Sequence, residues 1–253
     1  MKNPKYLIRP ILRKLGRDLV VYSHTHHPVA RHAKLLENYK IDMVLDIGAN
    51  TGQYAQSLRE LGYKGNIVCF EPLSAAFAEL KQWAEQDGQT IAVNSAIGDF
   101  EGEVELNVAG NSVSSSVLEM LPSHIDAAPN SRMTNKEKVA ISRVDTIFDR
   151  YCSSQDKTLL KIDTQGYEMS VLLGAETSLS KIRALELEMS FVALYEGQAL
   201  FHDIYLWLLQ KGFKMVDIDP MFIHPDTGEV LQVDGLFRAP DAAFSAGNPN
   251  TAL

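Results

Sequence analysis

Two carboxylates stand where an α/β chain places its chemistry. Asp46 lies near the end of the apolar run Val44-Leu45-Asp46-Ile47, which passes through Gly48-Ala49-Asn50-Thr51-Gly52 into a helical pattern opening at Gln53. Small residues at a strand-to-helix turn let ligand atoms approach the backbone and the helix N-terminus. A dinucleotide fold would carry G-x-G-x-x-G here, its middle glycine making room for pyrophosphate. This turn has Ala49-Asn50 instead, and an acid beside it suits a cationic ligand bearing an amino group better than a diphosphate. Twenty-five positions after Asp46 a second apolar run ends in Phe70-Glu71-Pro72. A carboxylate near that separation is the expected partner of ribose hydroxyls, since its two oxygens accept two hydrogen bonds at once. Either element alone is a weak signal, because glycines at strand ends are common and a lone Glu71 reads as a solvated acid. Together and in order they predict a site for an adenosyl ligand, and the missing G-x-G-x-x-G argues against a nicotinamide dehydrogenase.

Positioning these side chains requires a parallel sheet. From Met43 onward short apolar runs alternate with helical patterns, the arrangement that folds as right-handed strand-helix-strand units. Expected strands are Met43 to Ile47, Ile67 to Phe70, Ile91 to Asn94, Leu159 to Ile162, Ala184 to Glu188, Lys214 to Ile218 and Gln232 to Arg238. Helices are expected over Gln53 to Leu61, Ala75 to Gln86, Glu168 to Ser178 and Leu200 to Lys211. Residues 102–144 break the rhythm with an alternating Glu103-Val104-Glu105-Leu106-Asn107-Val108, a serine run and a Pro/Ser/Asn-rich loop, which reads as a hairpin and mobile lid. After Pro240 the composition turns to Ala, Ser, Asn, Pro and Gly, and a flexible tail is expected over 241–253.

The run VLDIGANTGQ, the FEP at 70–72, the turn Asn94-Ser95-Ala96-Ile97-Gly98, the cluster Ser114-Ser115-Ser116, LLKIDTQGYEMSVLLGAE at 159–176, LELEMS at 185–190 and LQVDGLF at 231–237 resemble the FkbM-type methyltransferases. These are S-adenosylmethionine-dependent O-methyltransferases. The resemblance covers about Asp42 to Arg238 and implies a Rossmann-like class I methyltransferase fold, α/β, with a seven-stranded mostly parallel sheet, the last strand antiparallel, and helices on both faces. It implies that Asp46, Gly48, Asn50, Gly52 and Gln53 line the methionine end of S-adenosyl-L-methionine, that Glu71 holds the ribose with Pro72 and Leu73 beside it, and that Ser95, Ala96 and Ile97 flank the adenine. Asp163 would sit near the transferred methyl. Gln165 departs from the resemblance, because many relatives carry Glu there. The domain expectation is a basic helical extension over 1–40, a methyltransferase domain over 41–240 and the tail.

Methyl transfer is an in-line displacement at a sulfonium carbon, so positioning supplies much of the rate. An alcohol nucleophile also benefits from a general base or from a cation that stabilises the developing alkoxide. Asp163 and Glu188 end adjacent expected strands, and both are assigned catalytic roles facing the acceptor. One of them acts as a base whose pKa is raised by burial or by its neighbour, or the two ligate Mg²⁺; the metal-free version is favoured. Tyr195, Glu196 and His224 are the acceptor-contacting candidates, against ordinary loop anchoring. His24, His26 and His27 cluster near the N-terminus, where capping or solvation is the plainer reading than a metal site. The acceptor expected from the resemblance is a hydroxyl of a sugar, glycan, glycolipid or natural product. A catalytically idle adenosyl-binding module is the rival, which intact Asp46, Glu71 and Asp163 disfavour.

Composition excludes several classes. With 253 residues, 45% of them hydrophobic, the chain has ample material for a core. Its formal charge is −8, but residues 1–40 hold nine Lys/Arg against two Asp/Glu, leaving 15 against 30 in the remainder. That acidic body is a poor nucleic-acid binder. The N-terminal repeat Leu7, Ile8, Ile11, Leu12, Leu15, Leu19, Val20, with Lys5, Arg9, Arg13, Lys14 and Arg17 between, predicts an amphipathic helix. It reads as a membrane-surface or partner-binding element, or more plainly as an appendage on its own domain or on a sister subunit. A second helix is expected from Pro28 to Tyr39. Two distant cysteines and no signal-like or bilayer-length apolar stretch point to the cytoplasm, at the membrane periphery if the basic helix meets lipid.

Overall fold

The computed structural model describes residues 5–240, so the tail expected over 241–253 lies outside the described residues. Two compact units divide the chain, one ending at Asn38 and one beginning at Tyr39. Helix α1 (Lys5–Lys14) belongs to the first, as does nearly all of α2 (Pro28–Tyr39), whose bounds match the expectation. The apolar repeat was expected to stay helical through Val20, yet α1 ends at Lys14. Gly16 enters the left-handed region (φ 69°), and the N–H groups of Gly16 and Arg17 close onto the carbonyls of Arg13 and Leu12 at 3.1 and 2.9 Å. Among the described residues no helix is long and apolar enough to cross a membrane.

The second unit contains strands β1 (Met43–Ile47), β2 (Asn66–Phe70), β3 (Thr90–Val93), β4 (Ala96–Gly98), β5 (Gly102–Ala109), β6 (Met133–Arg143), β7 (Thr158–Ile162), β8 (Ile182–Ser190), β9 (Lys214–Ile223) and β10 (Val230–Arg238). Its helices are α3 (Gln53–Glu60), α4 (Ser74–Asp87), α5 (Pro122–Ala127), α6 (Val144–Tyr151), α7 (Glu168–Gly174) and α8 (Phe201–Gln210). Seven strands form one sheet in the order β3-β2-β1-β7-β8-β10-β9. Strand β10 runs antiparallel to both neighbours, while β1 pairs parallel with β2 and β7. The fold is therefore the Rossmann-like α/β sheet of class I methyltransferases. Strand order reverses between β1 and β7, which opens a crevice beyond their carboxyl ends.

Alternation along the strands separates two chemistries. Leu45, Ile47, Phe70, Leu160, Ile162 and Leu187 face the apolar core with Phe148 of α6, Val171 and Leu172 of α7 and Leu208 of α8. Asp46 and Lys161 therefore point to the opposite face, because successive side chains in a strand alternate. Both are buried there.

The excursion at 102–144 contains an antiparallel pair, β5 with β6, which joins β4 in a second, three-stranded sheet. Strand β6 pairs parallel with β4 and antiparallel with β5, around a small core that includes Leu73, Leu106 and Ile141. Its serine run is anchored. Ser114 and Ser116 are buried, and the backbones of Ser116 and Asn107 exchange hydrogen bonds of 2.8 and 3.1 Å. Helix α7 meets β4 backbone to backbone, since a Cβ on Gly174 would lie 1.8 Å from the Gly98 carbonyl oxygen. Gly174→Ala is expected to destabilise the chain by about 1–3 kcal/mol through overpacking, lowering Tm by several degrees in thermal denaturation; an unchanged Tm would show that this contact yields freely.

Candidate active site

The crevice at the reversal point is a cavity of about 290 Å³. Asp46, Gly48, Asn50, Gln53, Glu71, Pro72, Leu73, Ser95, Ala96, Ile97 and Asp163 all line it, from segments as far apart as 46 and 163. Gly48 (φ 82°) makes the turn possible, because a Cβ there would sit 1.9 Å from the Asp163 carbonyl oxygen. The Asp163 N–H in turn donates to the Ile47 carbonyl at 2.9 Å. The two acidic strand ends are thus locked together through the backbone.

Glu71 ties the halves of the cavity. One carboxyl oxygen accepts the Asn50 N–H and the other the Leu73 N–H, each at 2.8 Å. The side-chain amide of Asn94 donates to the carbonyls of Glu71 and Pro72, both at 2.9 Å, and fixes the chain beyond. Burial raises the Glu71 pKa to about 7 against those two N–H donors. Each oxygen has a remaining lone pair for a ligand hydroxyl.

Lys161 is the residue that sequence reasoning missed. Strand register sets it opposite Asp46 on one side and Glu186 on the other. Its ammonium contacts Asp163 Oδ2 at 3.2 Å and lies 5.4 Å from the centre of the Tyr54 ring, while the Tyr54 hydroxyl donates to Glu186. Burial works against its charge, but the carboxylates of Asp163, Asp234, Asp46 and Glu186 outweigh it and hold the ammonium protonated. Burial also raises Asp46 to about 6, against the pull of Lys161. Losing one partner of such a buried set costs about 3–5 kcal/mol. A signal was present in the sequence, since LLKI places a charge inside an otherwise apolar central strand.

Gln165 is the second junction. Its amide nitrogen donates to Asp163 Oδ1 and Glu188 Oε2, both at 2.9 Å. Its amide oxygen and the Ser114 carbonyl lie 2.9 and 3.0 Å from the Tyr195 hydroxyl, which has one proton to share between them. Its backbone carbonyl accepts the Ser116 hydroxyl at 2.7 Å. Glu168 supports the same loop by accepting the N–H groups of Thr164 and Gly166 at 3.0 and 3.1 Å. Asn50, Ser112 and Gln165 all line the cavity with φ of 48°, 56° and 54°, a left-handed conformation that costs non-glycine residues energy and gathers at functional sites.

Five expected positions stand outside the cavity lining. Gly52 serves packing, because a Cβ there would meet Leu80 of α4 at 2.9 Å. Glu188 lies buried behind Gln165, where Gln232 also donates to it at 2.7 Å; burial, reinforced by Asp163, Glu168 and Asp234, pushes its pKa well above the carboxylate range. Tyr195 is buried, with its hydroxyl against Gln165 and the Ser114 carbonyl. The Glu196 N–H joins the Glu119 carbonyl at 2.8 Å. His224 closes the turn between β9 and β10, its Nδ1 accepting the N–H groups of Asp226 and Thr227 at 3.2 and 3.3 Å. His26 makes local contacts with Ser23 and Thr25, and among the described residues no group of three or more His, Cys, Asp or Glu is arranged to hold a metal.

Comparison with known proteins gives this geometry a family. The chain is 27% identical over 163 residues to the 2-O-methyltransferase NoeI of Sinorhizobium fredii, a match covering 62% of this chain and 66% of NoeI. The crystal structure of methyltransferase FkbM from Methylobacillus flagellatus KT aligns with a TM-score of 0.49 and 13% identity, over 78% of this chain and 43% of that one. This chain thus spans just under two thirds of NoeI and less than half of the crystallised chain. Residues 46–215, the greater part of the sequence, match the family described as the methyltransferase FkbM domain. The chain belongs to the FkbM methyltransferase family.

Proposed function

We propose that the protein transfers the methyl group of S-adenosyl-L-methionine to a hydroxyl of a sugar, glycan, glycolipid or natural product. The observation that carries this reading is the cavity at the reversal point, which Asp46, Glu71 and Asp163 line together with Lys161. The donor set fits the cofactor. Buried carboxylates with raised pKa values gain most from a ligand that brings an ammonium group and ribose hydroxyls to them. The apolar side chains of Leu73 and Ile97 offer contacts to an adenine ring. When bound, the cofactor supplies an electrophilic methyl carbon. The name 2-O-methyltransferase borne by NoeI supports oxygen as the acceptor atom.

The protein's own task is then to hold a hydroxyl in line and take its proton. Asp163 is the base in this reading, because it lines the cavity with its side chain 36% exposed, enough to pass a proton to solvent. Lys161 and Gln165 grip its two oxygens and fix their direction. Lys161 also stands where an Mg²⁺ would otherwise balance Asp163, which favours chemistry without a metal. Glu188 acts through Gln165 as a positioning group. Ser112, Ser115 and Tyr167 offer hydrogen-bonding and ring contacts to the acceptor on the excursion side.

Labelled S-adenosyl-L-methionine supplied with a bacterial glycan and glycolipid extract tests the reading. Label is expected as a methyl ether on a sugar hydroxyl, whereas cofactor binding without transfer to any fraction would leave the idle-module alternative. Asp163→Asn is expected to lower kcat by about 10²–10⁴-fold with cofactor affinity changed only a few-fold in calorimetry; undiminished turnover would remove the base. Glu71→Gln keeps the side chain's shape, loses its charge, and should weaken cofactor binding at pH 8 by about tenfold or more, so that wild-type affinity would refute the ribose role. Lys161→Met should cost about 3–5 kcal/mol in denaturant unfolding, and a value near zero would mean that the acids do not need it.

A further inference from the structure

Residues 8–22 carry a feature that methyl transfer does not use. Ile11, Leu15, Leu19, Val20, Val21 and Tyr22 are all exposed, Leu15 to 70%, Tyr22 to 65% and Ile11 to 63%. So many large apolar side chains in so short a stretch exceed the scattered exposure of an ordinary surface. On α1, Ile8, Ile11 and Leu12 share one arc, with Leu15 next in the same register, and Arg9 and Arg13 occupy the opposite arc. Lys14 and Arg17 add two more exposed cations.

Asp18 is the sole acid in this stretch, and it is neutralised locally. Arg9 and Arg13 bind it at 2.9 and 3.0 Å, which folds the chain after Gly16 back toward the helix. Four cations against one acid leave a net positive strip. An apolar arc flanked by cations is the form taken by helices that lie in a bilayer interface, where the acyl boundary receives the apolar side and anionic headgroups the charges. A flat bilayer also needs no groove of matching shape.

We propose that residues 8–22 bind the surface of an anionic phospholipid bilayer. The strip holds the acidic catalytic unit at lipid, where a membrane-borne acceptor would be concentrated. Docking itself does not depend on the identity of the acceptor or on the methyl-transfer reading.

The test is sedimentation of the full chain with vesicles of phosphatidylcholine alone and of phosphatidylcholine mixed with phosphatidylglycerol. Binding is expected to be about tenfold or more tighter on the anionic vesicles and to weaken with salt. It should be lost in Ile11→Asp/Leu15→Asp and reduced in Lys14→Glu/Arg17→Glu. Affinity for S-adenosylhomocysteine should be unchanged in both variants, which reports an intact fold. Equal binding to the two vesicle types, no binding to either, or variants that sediment like wild type would overturn the proposal. A lipid-free dimer in light scattering that Ile11→Asp/Leu15→Asp abolishes would assign the strip to a second copy of the chain and overturn it as well.

Discussion

One buried ammonium group organises this protein. Lys161 sits on the central strand of the sheet among four carboxylates that belong to four different strands or their ends: Asp46, Asp163, Glu186 and Asp234. Without a cation those acids would repel one another in a medium that screens poorly. With it, two of them, Asp46 and Asp163, are held at the rim of the crevice, one near its charge threshold and the other aimed by a direct contact. The topology makes this possible, because β1 and β7 are neighbours only where strand order reverses.

The excursion between β4 and β6 completes the cavity from above. Its loop contributes Ser112, Val113, Ser115 and Val117 to the lining, and the Asn50 side chain reaches Ser112 at 3.3 Å. Gln165 then links that loop, through Ser116 and Tyr195, to Asp163 and Glu188. Asp163 and the cover above the cavity are therefore joined through one residue, Gln165. His124 meets the Tyr195 ring edge-on at 5.1 Å and the Phe222 ring at a tilt at 5.3 Å, and burial holds its pKa down to about 4, so this support stays neutral across the physiological range.

What the sequence makes legible is what short-range chemistry determines. Asp46, Glu71 and Asp163 stand at or near strand ends beside turns, and local pattern places them at the carboxyl ends of the strands. Lys161 was not read, although its oddity within LLKI is visible, because three of its partners, Asp46, Glu186 and Asp234, lie on other strands whose register no local pattern encodes. Glu188 and Tyr195 illustrate the same limit. Position along a strand tells which end of the sheet a residue occupies, whereas the layer it reaches depends on what intervenes, here Gln165. Strand β4 has only three residues, too few for a period to show. Helix α6 begins directly where β6 ends, with no breaker between them, so no local signal in the sequence separates the two. The Nδ1 of His224 is used by the turn it stands in, a contact that its residue type alone does not reveal.

In the proposed reading, the buried carboxylates of Asp46 and Glu71 give up their remaining protons when the cofactor binds. Asp46 and Glu71, raised to about 6 and about 7, retain part of their protons near neutrality. A ligand ammonium and ribose hydroxyls favour the carboxylate forms, so their pKa values fall on binding and protons leave. Calorimetric titration of S-adenosyl-L-methionine in buffers of different ionisation enthalpy measures that release directly. Net proton release at about pH 6.5, declining toward zero by about pH 8.5, is the predicted result. Binding with no proton exchange at the lower pH, or with proton uptake, would contradict the account.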